Sequence, residues 1–504
     1  KVTGAAFAIV REGDAAAKAS GVRILLGPTA AAEARLGAGT IGGLGPEEYV
    51  VRQDGGDLLL AGGRPRGTLY AVYDFLERDV GVRWLSWRQR ESDVYPRRET
   101  LDVSPAARRR RPYFEVRDIH GLAGGGAHQL AFKVRNRIQG PDLQRQEFGD
   151  RETSRPNPRH PYGGTSHAYI QFPPDPWHGT GGKDRAPFYF DRQRDFDQHP
   201  DYFCFDRTLG KRVPKQYCHS HPEVRRIITE KILGRFAETE GQGILMYSAH
   251  DSPGPLCECD ACQALIEREG TPGGAFFDFL AALSEALAKA HPDAIVGTLA
   301  YRTEQTEKPP RHLRFGSNVL IRFAPVVASQ FAPLDHPVNA EHLENLRAWR
   351  GAAERIWVWY YPQPYFLPIL LGNLWRVHAD LRAFREAGVS GFYIEQTTAH
   401  SRSALQHADL QTWVMAKLMD DPDRPLEDLV DDFCGHYYGP AGEPLKAYFR
   451  RLDAATRAFA DTLPDRRVRK GLSAVGVHRA LTAESIAALQ GLLDTAEAAV
   501  ADDP

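Results

Sequence analysis

Between Pro112 and about residue 400, short apolar runs alternate with amphipathic stretches. No other feature of the chain constrains its fold as strongly. The runs are Phe114–Ile119, Leu130–Val134, His167–Phe172, Ile244–Ser248, Ala294–Leu299, Val319–Phe323, Ile356–Tyr360 and Gly391–Ile394. Helical periodicity fills Glu223–Glu238, Ala275–Ala290, Ala340–Ala353 and Leu374–Ala387. Strands that alternate with helices pair in parallel, because each crossover lays a helix over the sheet. Eight such units in about 290 residues predict an α/β fold of the (β/α)8, or TIM-barrel, kind. The Pro-, Gly- and Arg-rich stretch 138–200 is then a long excursion from the barrel, and long excursions usually carry function.

Residues 1–110 predict a smaller α/β module. Val22–Leu26 is a strand, Glu48–Gln53 and Asp57–Ala61 form a hairpin about Gly55-Gly56, and Gly67–Val80 is helical. The four arginines Arg108–Arg111 then read as a solvated linker into the barrel at 111–405. Residues 406–504 predict helices over Asp409–Met419, Pro425–Tyr437, Pro444–Thr462 and Ala483–Asp502. A net charge of −2 argues against general affinity for nucleic acid or anionic membrane. No apolar run reaches the length of about 18 residues that a membrane span needs. The sequence leaves the oligomeric state open.

Barrel chemistry sits where strands end. Those ends place Arg117 and His120 after the first strand, His167 on the third, His250 and Asp251 after the fourth, and Tyr301-Arg302 after the fifth. Arg322 lies on the sixth, Trp357, Trp359 and Tyr361 on the seventh, and Glu395 after the eighth. Glu395 and Asp251 are the candidate catalytic carboxylates. Glycoside cleavage uses such pairs, one group protonating the leaving oxygen while the other assists at the anomeric carbon. The apolar run before Glu395 desolvates it, which favours the protonated form that a general acid needs. Glu395 is equally readable as a structural partner of an arginine, and Asp251 as a turn cap. Trp357 and Trp359 share a face, as core or as rim. Aromatic residues, 10% of the chain, suit stacking against sugar rings.

Cys257, Cys259 and Cys262 form a C-x-C-x2-C cluster, with Cys218 close enough in the predicted topology to complete a set of four. Four thiolates make a closed, structural zinc site. One or two disulfides are the alternative, which an exported protein would favour. Such a zinc would clamp the loop carrying Asp251 and take no part in chemistry. Catalysis itself calls for no cofactor.

Several stretches, in order, resemble a bacterial family of unknown function, number 4838, which includes glycoside hydrolase family 163. They are Ser166–Tyr169, His199–Phe203, Gln216–Val224, Asp251 with the cysteines, Asn318–Pro325, Gly388–Glu395 and Tyr437–Gly439. The leading module resembles the domain that precedes barrels in family 20 hexosaminidases, through Gly67–Tyr73 and Gly81–Trp84. The resemblance implies hydrolysis of β-linked N-acetylglucosamine in glycans, retaining, with the substrate's own 2-acetamido group attacking the anomeric carbon. It implies Glu395 as acid, Asp251 as the group that orients the acetamide, and Tyr301 as its assistant. His120, His167, His250, Arg117, Arg322, Trp357, Trp359 and Tyr361 are then expected at the substrate. The sequence departs from the family at His250, where an amide-type residue is expected. Two other readings stand. One is a glycosidase for another sugar, such as a uronate gripped by Arg117, Arg302 and Arg322. The other is a non-catalytic glycan-binding barrel. An exported protein, periplasmic or extracellular and with its leader cut from this chain, is expected, a cytoplasmic one being the alternative.

Overall fold

The computed structural model describes residues 1–14, 21–88, 90–120, 122, 126–139, 192–237, 241, 243–250, 252–362, 372–395, 407–463 and 481–502. The strands are β1 (Ile24–Leu26), β2 (Tyr49–Asp54), β3 (Asp57–Gly62), β4 (Arg83–Trp84), β5 (Asp93–Val94), β6 (Arg108–Arg110) and β7 (Val116–His120). They continue with β8 (Phe203–Asp206), β9 (Lys211–Tyr217), β10 (Gly243–Met246), β11 (Ala294–Tyr301), β12 (Phe315–Ala324), β13 (Ala353–Tyr360) and β14 (Gly391–Glu395).

A parallel sheet of six strands, in the order β10-β11-β12-β13-β14-β7, forms a half-barrel. All eight residues of β11 are buried, as expected where helices cover one face and a packed interior fills the other. Alternation sorts the side chains. Val116, Ile244, Met246, Ile295, Leu320 and Trp357 make one interior layer. Leu299, Tyr301, Ala324, Val326, Trp359, Tyr361 and Tyr393 make a second, nearer the strand ends. The opposite phase, including Ile119, Ile321, Val358 and Phe392, packs under the helices. Gly391 stands opposite Trp357 in register, and a Cβ there would lie 2.8 Å from both the indole Cδ1 and Val116 Cβ. A side chain at 391 would thus displace the tryptophan from the interior.

Two of the eight expected strands need comment. Leu130–Val134, expected as the second, lies within the helix Gly126–Arg135. Pairing next to β7 instead begins at Gln139, which forms a parallel bridge to Asp118 and donates its N–H to Arg117 O at 2.6 Å. The third, His167–Phe172, lies outside the described residues, so six strands are what the described residues show of the expected eight. The helix Ala408–Asp420, expected to begin a separate helical unit, is buried along nearly its whole length within the barrel's own apolar core. Tyr113 N–H donates to Asp420 O at 2.9 Å, so this helix sits directly against the start of the barrel. The helix Leu374–Glu386 receives its N-terminal partner from a distant element, Asp453, which accepts from the Leu374 and Trp375 N–H groups at 3.1 Å.

The leading module is a four-stranded sheet, β1-β3-β2-β6, with the expected β2–β3 hairpin. Arg108–Arg111 is not a solvated linker. Its first three residues are an edge strand whose guanidinium groups meet acids from three other segments: Arg108 pairs with Asp74 and Asp79, Arg109 with Glu48, and Arg110 with Asp421. Below this edge a buried ionic network joins module and barrel. Glu47 accepts from Arg117 at 2.7 Å, from Arg66 at 2.6 Å and from Gln139 at 2.7 and 2.9 Å. Glu77 pairs with Lys417 at 2.7 Å, and Arg137 lies 3.4–3.5 Å from Asp74, Glu77 and Asp420.

Burial works against ionisation of Glu47, but Arg117 and Arg66 outweigh it and pull the carboxyl down to about 2. Glu77 also ends below the usual carboxylate range: burial opposes ionisation there too, and Lys417, Arg137 and Arg424 outweigh it. Between their folded values and the usual range, the unfolded chain binds more protons than the folded one. Stability is therefore full above the ordinary carboxylate range and is lost as pH falls toward the folded values. The urea midpoint should drop steeply between about pH 5 and pH 3. Glu47→Gln should flatten that slope in part, and an equally steep slope in the variant would discount Glu47 as one of its sources.

Candidate active site

β14 ends at Glu395, which is 7% exposed and lies in register with His120 at the end of β7. Trp359, two residues along β13 from Trp357, faces the same interior. Its indole Nε1 donates to Glu395 Oε2 at 2.7 Å. One bond to a rigid ring fixes the carboxyl's orientation and leaves further lone pairs for a proton or a ligand. The ring is itself held by neighbours. Tyr361 stacks 6.2 Å away at 21°, and Tyr393 meets it edge-on at 4.6 Å. The arrangement is a carboxyl set in an aromatic wall, with donors and apolar faces side by side.

Tyr301 closes β11 in the same interior layer, its N–H donating to Thr306 Oγ1 at 3.1 Å. The next residue, Arg302, takes the left-handed conformation at φ +58° and carries its guanidinium 4.9 Å from the centre of the Tyr301 ring. Arg322 also points inward. It is buried, with its guanidinium 5.8 Å from the Trp357 ring centre and 5.7 Å from that of Tyr393. Trp357 lies one layer deeper than Trp359, among aliphatic side chains, as core.

The structure thus brings Glu395, Tyr301, Trp359, Tyr361 and Arg322 to one interior surface, with His120 placed beside Glu395 by backbone register. Arg117 is not among them. It has the phase of Ile119 and Phe392 and points out of the barrel toward Arg137 O, Phe114 O and Glu47. Its expected role at the substrate is corrected to one at the domain interface. Asp251 and His167 lie outside the described residues. His250 is half-buried, and its backbone is clasped by the Gln216 amide: His250 N–H donates to Oε1 and Nε2 donates to His250 O, both at 2.8 Å.

The four cysteines also come together. The sulfurs of Cys218, Cys257, Cys259 and Cys262 lie within 4.8 Å of one another, and no pair is bonded. Cys204 is buried in the same apolar cluster, and Cys434 lies elsewhere in the core.

Residues 87–450 match the family model described as Domain of unknown function (DUF4838). The chain belongs to this family. No curated protein matches it. Solved structures resemble this DUF4838 chain only loosely. The β-N-acetylhexosaminidase from Bacteroides fragilis NCTC 9343 is 10% identical over 81% of this chain and 88% of that one, with a TM-score of 0.39. A GH89 enzyme from Clostridium perfringens, solved in complex with its substrate GlcNAc-alpha-1,4-galactose, is 9% identical over 81% of this chain, with a TM-score of 0.43. The DUF4838 chain spans about half of that protein, 48%. A GH138 enzyme targeting pectin rhamnogalacturonan II is 12% identical over 87% and 69%, with a TM-score of 0.35.

Two residues of the DUF4838 site escape a reading by strand ends. Asp118 is 1% exposed, stands in register with Tyr393 and lies 4.0 Å from Lys133. It shares the inward phase of Val116, so strict alternation along β7 would have selected it in place of Arg117. Gln216 precedes Tyr217 and Cys218 by one and two positions. Nothing in its neighbours signals the clasp on His250, since the two are joined only by the fold.

Proposed function

We propose that the chain is a glycoside hydrolase on a closed (β/α)8 barrel, cleaving β-linked N-acetylglucosamine in glycans. The observation that carries this reading is Glu395: a buried carboxyl at a strand end, oriented by Trp359 within a wall of Trp and Tyr. A sugar ring laid on that wall would present its glycosidic oxygen to the carboxyl. Glu395 then donates the proton to the leaving oxygen as the C–O bond breaks, and the substrate's acetamide oxygen bonds to the anomeric carbon. Asp251 orients the acetamide and Tyr301 donates to it. Water later opens the cyclic intermediate with net retention, returning its proton to Glu395. No metal enters these steps. The site of action in this reading is outside the cytoplasm, on oligosaccharide or larger glycans.

The uronate alternative needs arginines at the mouth. With Arg117 engaged by Glu47, it keeps only Arg302 and Arg322. A panel of N-acetylglucosaminides, N-glycans and uronides decides the matter. Release from acetamido sugars supports the reading. Release from uronides alone favours the second sugar class, and binding without release favours a lectin-like barrel.

Trp359→Phe keeps most of the ring and removes the N–H. Glu395 becomes a carboxylate as it gives up its proton, and a hydrogen bond to a charged group is worth about 1.5–3 kcal/mol, so kcat should fall about 10- to 100-fold with a smaller change in KM. A change confined to KM would make the indole a sugar platform only.

A further inference from the structure

We infer that Cys218, Cys257, Cys259 and Cys262 hold one Zn2+, and that this closed site fixes, through Gln216, the backbone of the loop following β10. The inference does not depend on the hydrolase reading. Cys218 Sγ lies 3.7 Å from Cys259 Sγ and 3.8 Å from Cys262 Sγ. A disulfide needs about 2.05 Å, and it joins only two sulfurs. A tetrahedron of thiolates with Zn–S bonds of about 2.3 Å has S···S edges of about 3.8 Å, which those two distances match, and all four sulfurs lie within 4.8 Å of one another. The surroundings suit a doubly negative Zn(thiolate)4 centre. Phe205 N–H donates to Cys257 Sγ at 3.3 Å, Ser220 Oγ lies 3.1 Å from Cys262 Sγ and 3.2 Å from Cys218 Sγ, and the Arg212 guanidinium lies beside Cys218, within electrostatic reach of Cys257 and Cys259. Donors of this kind hold metal-bound thiolates in place and offset their charge. Three of the four cysteines are buried, and with four protein ligands no coordination position is open to water.

The ligands come from two separate parts of the chain. Cys218 directly follows β9, Cys257 and Cys259 lie between β10 and the helix Asp260–Glu269, and Cys262 stands in the first turn of that helix. An ion bonded to both would staple the β8–β9 hairpin to the loop after β10. Gln216 stands two residues before Cys218 and clasps His250 from both sides of its peptide, with a further contact from Nε2 to Ser252 Oγ at 3.2 Å. Gln305 completes the restraint, donating to Ser252 O at 2.7 Å and Gly254 O at 2.8 Å. The position of Gln216 thus depends on the staple, and the loop depends on Gln216.

The full chain, purified without added metal or chelator, should carry one zinc by elemental analysis. A mercurial should release that zinc as four thiols react, and the denatured protein should show all six cysteines reduced. After removal of the metal, hydrogen exchange in the segment 244–256 should quicken, and Zn2+ alone should restore it. Cys259→Ser, at the most exposed ligand, should lower zinc content; should it not fold, the mercurial release on the unmodified chain still decides. Gln216→Ala should keep its zinc while the same segment exchanges faster. A metal-free protein with cysteines paired in disulfides, or stoichiometric iron in place of zinc, overturns the site. Zinc whose removal leaves exchange in 244–256 unchanged overturns the coupling.

Discussion

If Glu395 is the acid of the proposed hydrolysis, Glu395→Gln should lower turnover of an N-acetylglucosaminide by about 10²- to 10⁴-fold, the usual worth of a positioned general acid. The amide is nearly isosteric, and its oxygen can still accept from Trp359 Nε1, so the fold and the aromatic wall should survive. What the amide cannot do is give up a proton. Three readouts therefore move together. The limb of the pH–rate profile that reports deprotonation of the acid disappears. Substrates with activated phenol leaving groups, which need little protonation, lose less than natural glycans. Substrate binding stays close to that of the unaltered enzyme. A variant that keeps full turnover on unactivated glycans would remove Glu395 from the chemistry and return it to the structural role that its indole partner also fits.

Glu47→Ala should cost about 3–5 kcal/mol of folding stability, read as a fall in the urea midpoint with unchanged m-value. The loss comes less from the bonds removed than from what is left behind. Arg117 is 1% exposed, and without Glu47 its guanidinium is a buried charge short of its nearest counter-ion. Gln139 loses both bonds that its amide nitrogen donates in the same step, at the point where pairing beside β7 begins. The control is Arg109→Ala in the neighbouring edge strand. Arg109 pairs with Glu48 at 2.6 Å but is more than half exposed, so the midpoint should barely move. Equal effects from the two variants would refute the claim that burial, and not pairing as such, sets the cost.

Six of the eight expected strands stand where apolar runs are visible in the sequence, because a strand buried on both faces must be apolar throughout. The error at Leu130–Val134 has the same origin. Leu130, Phe132 and Val134 alternate by two, which mimics a half-buried strand, while the helix they belong to is short and its buried residues run on into Asn136 and Arg137. Arg108–Arg111 was misread because its partners come from segments tens to hundreds of residues away, and a run of one charge looks solvated until those acids are in view. Arg117 could have been placed correctly from its phase relative to Val116 and Ile119. At the site, Glu395 and the Trp359–Tyr361 pair were legible from strand ends and alternation. Asp118 was legible but passed over, and Gln216 was not legible at all.

Glu47 also bears on how far the two parts of the chain depend on each other. It sits in the left-handed region at φ +61°, on the loop just before β2, and satisfies two residues of the barrel from outside it. Without the leading module the Arg117 guanidinium would keep its bonds to Arg137 O and Phe114 O but lose its carboxylate, and the Gln139 Nε2 would lose both of its acceptors. The leading module is therefore tied to the half-barrel by buried charge as well as by the chain. Replacing it with another module would leave the Arg117 charge buried without its carboxylate unless the first strand of the half-barrel were changed to match.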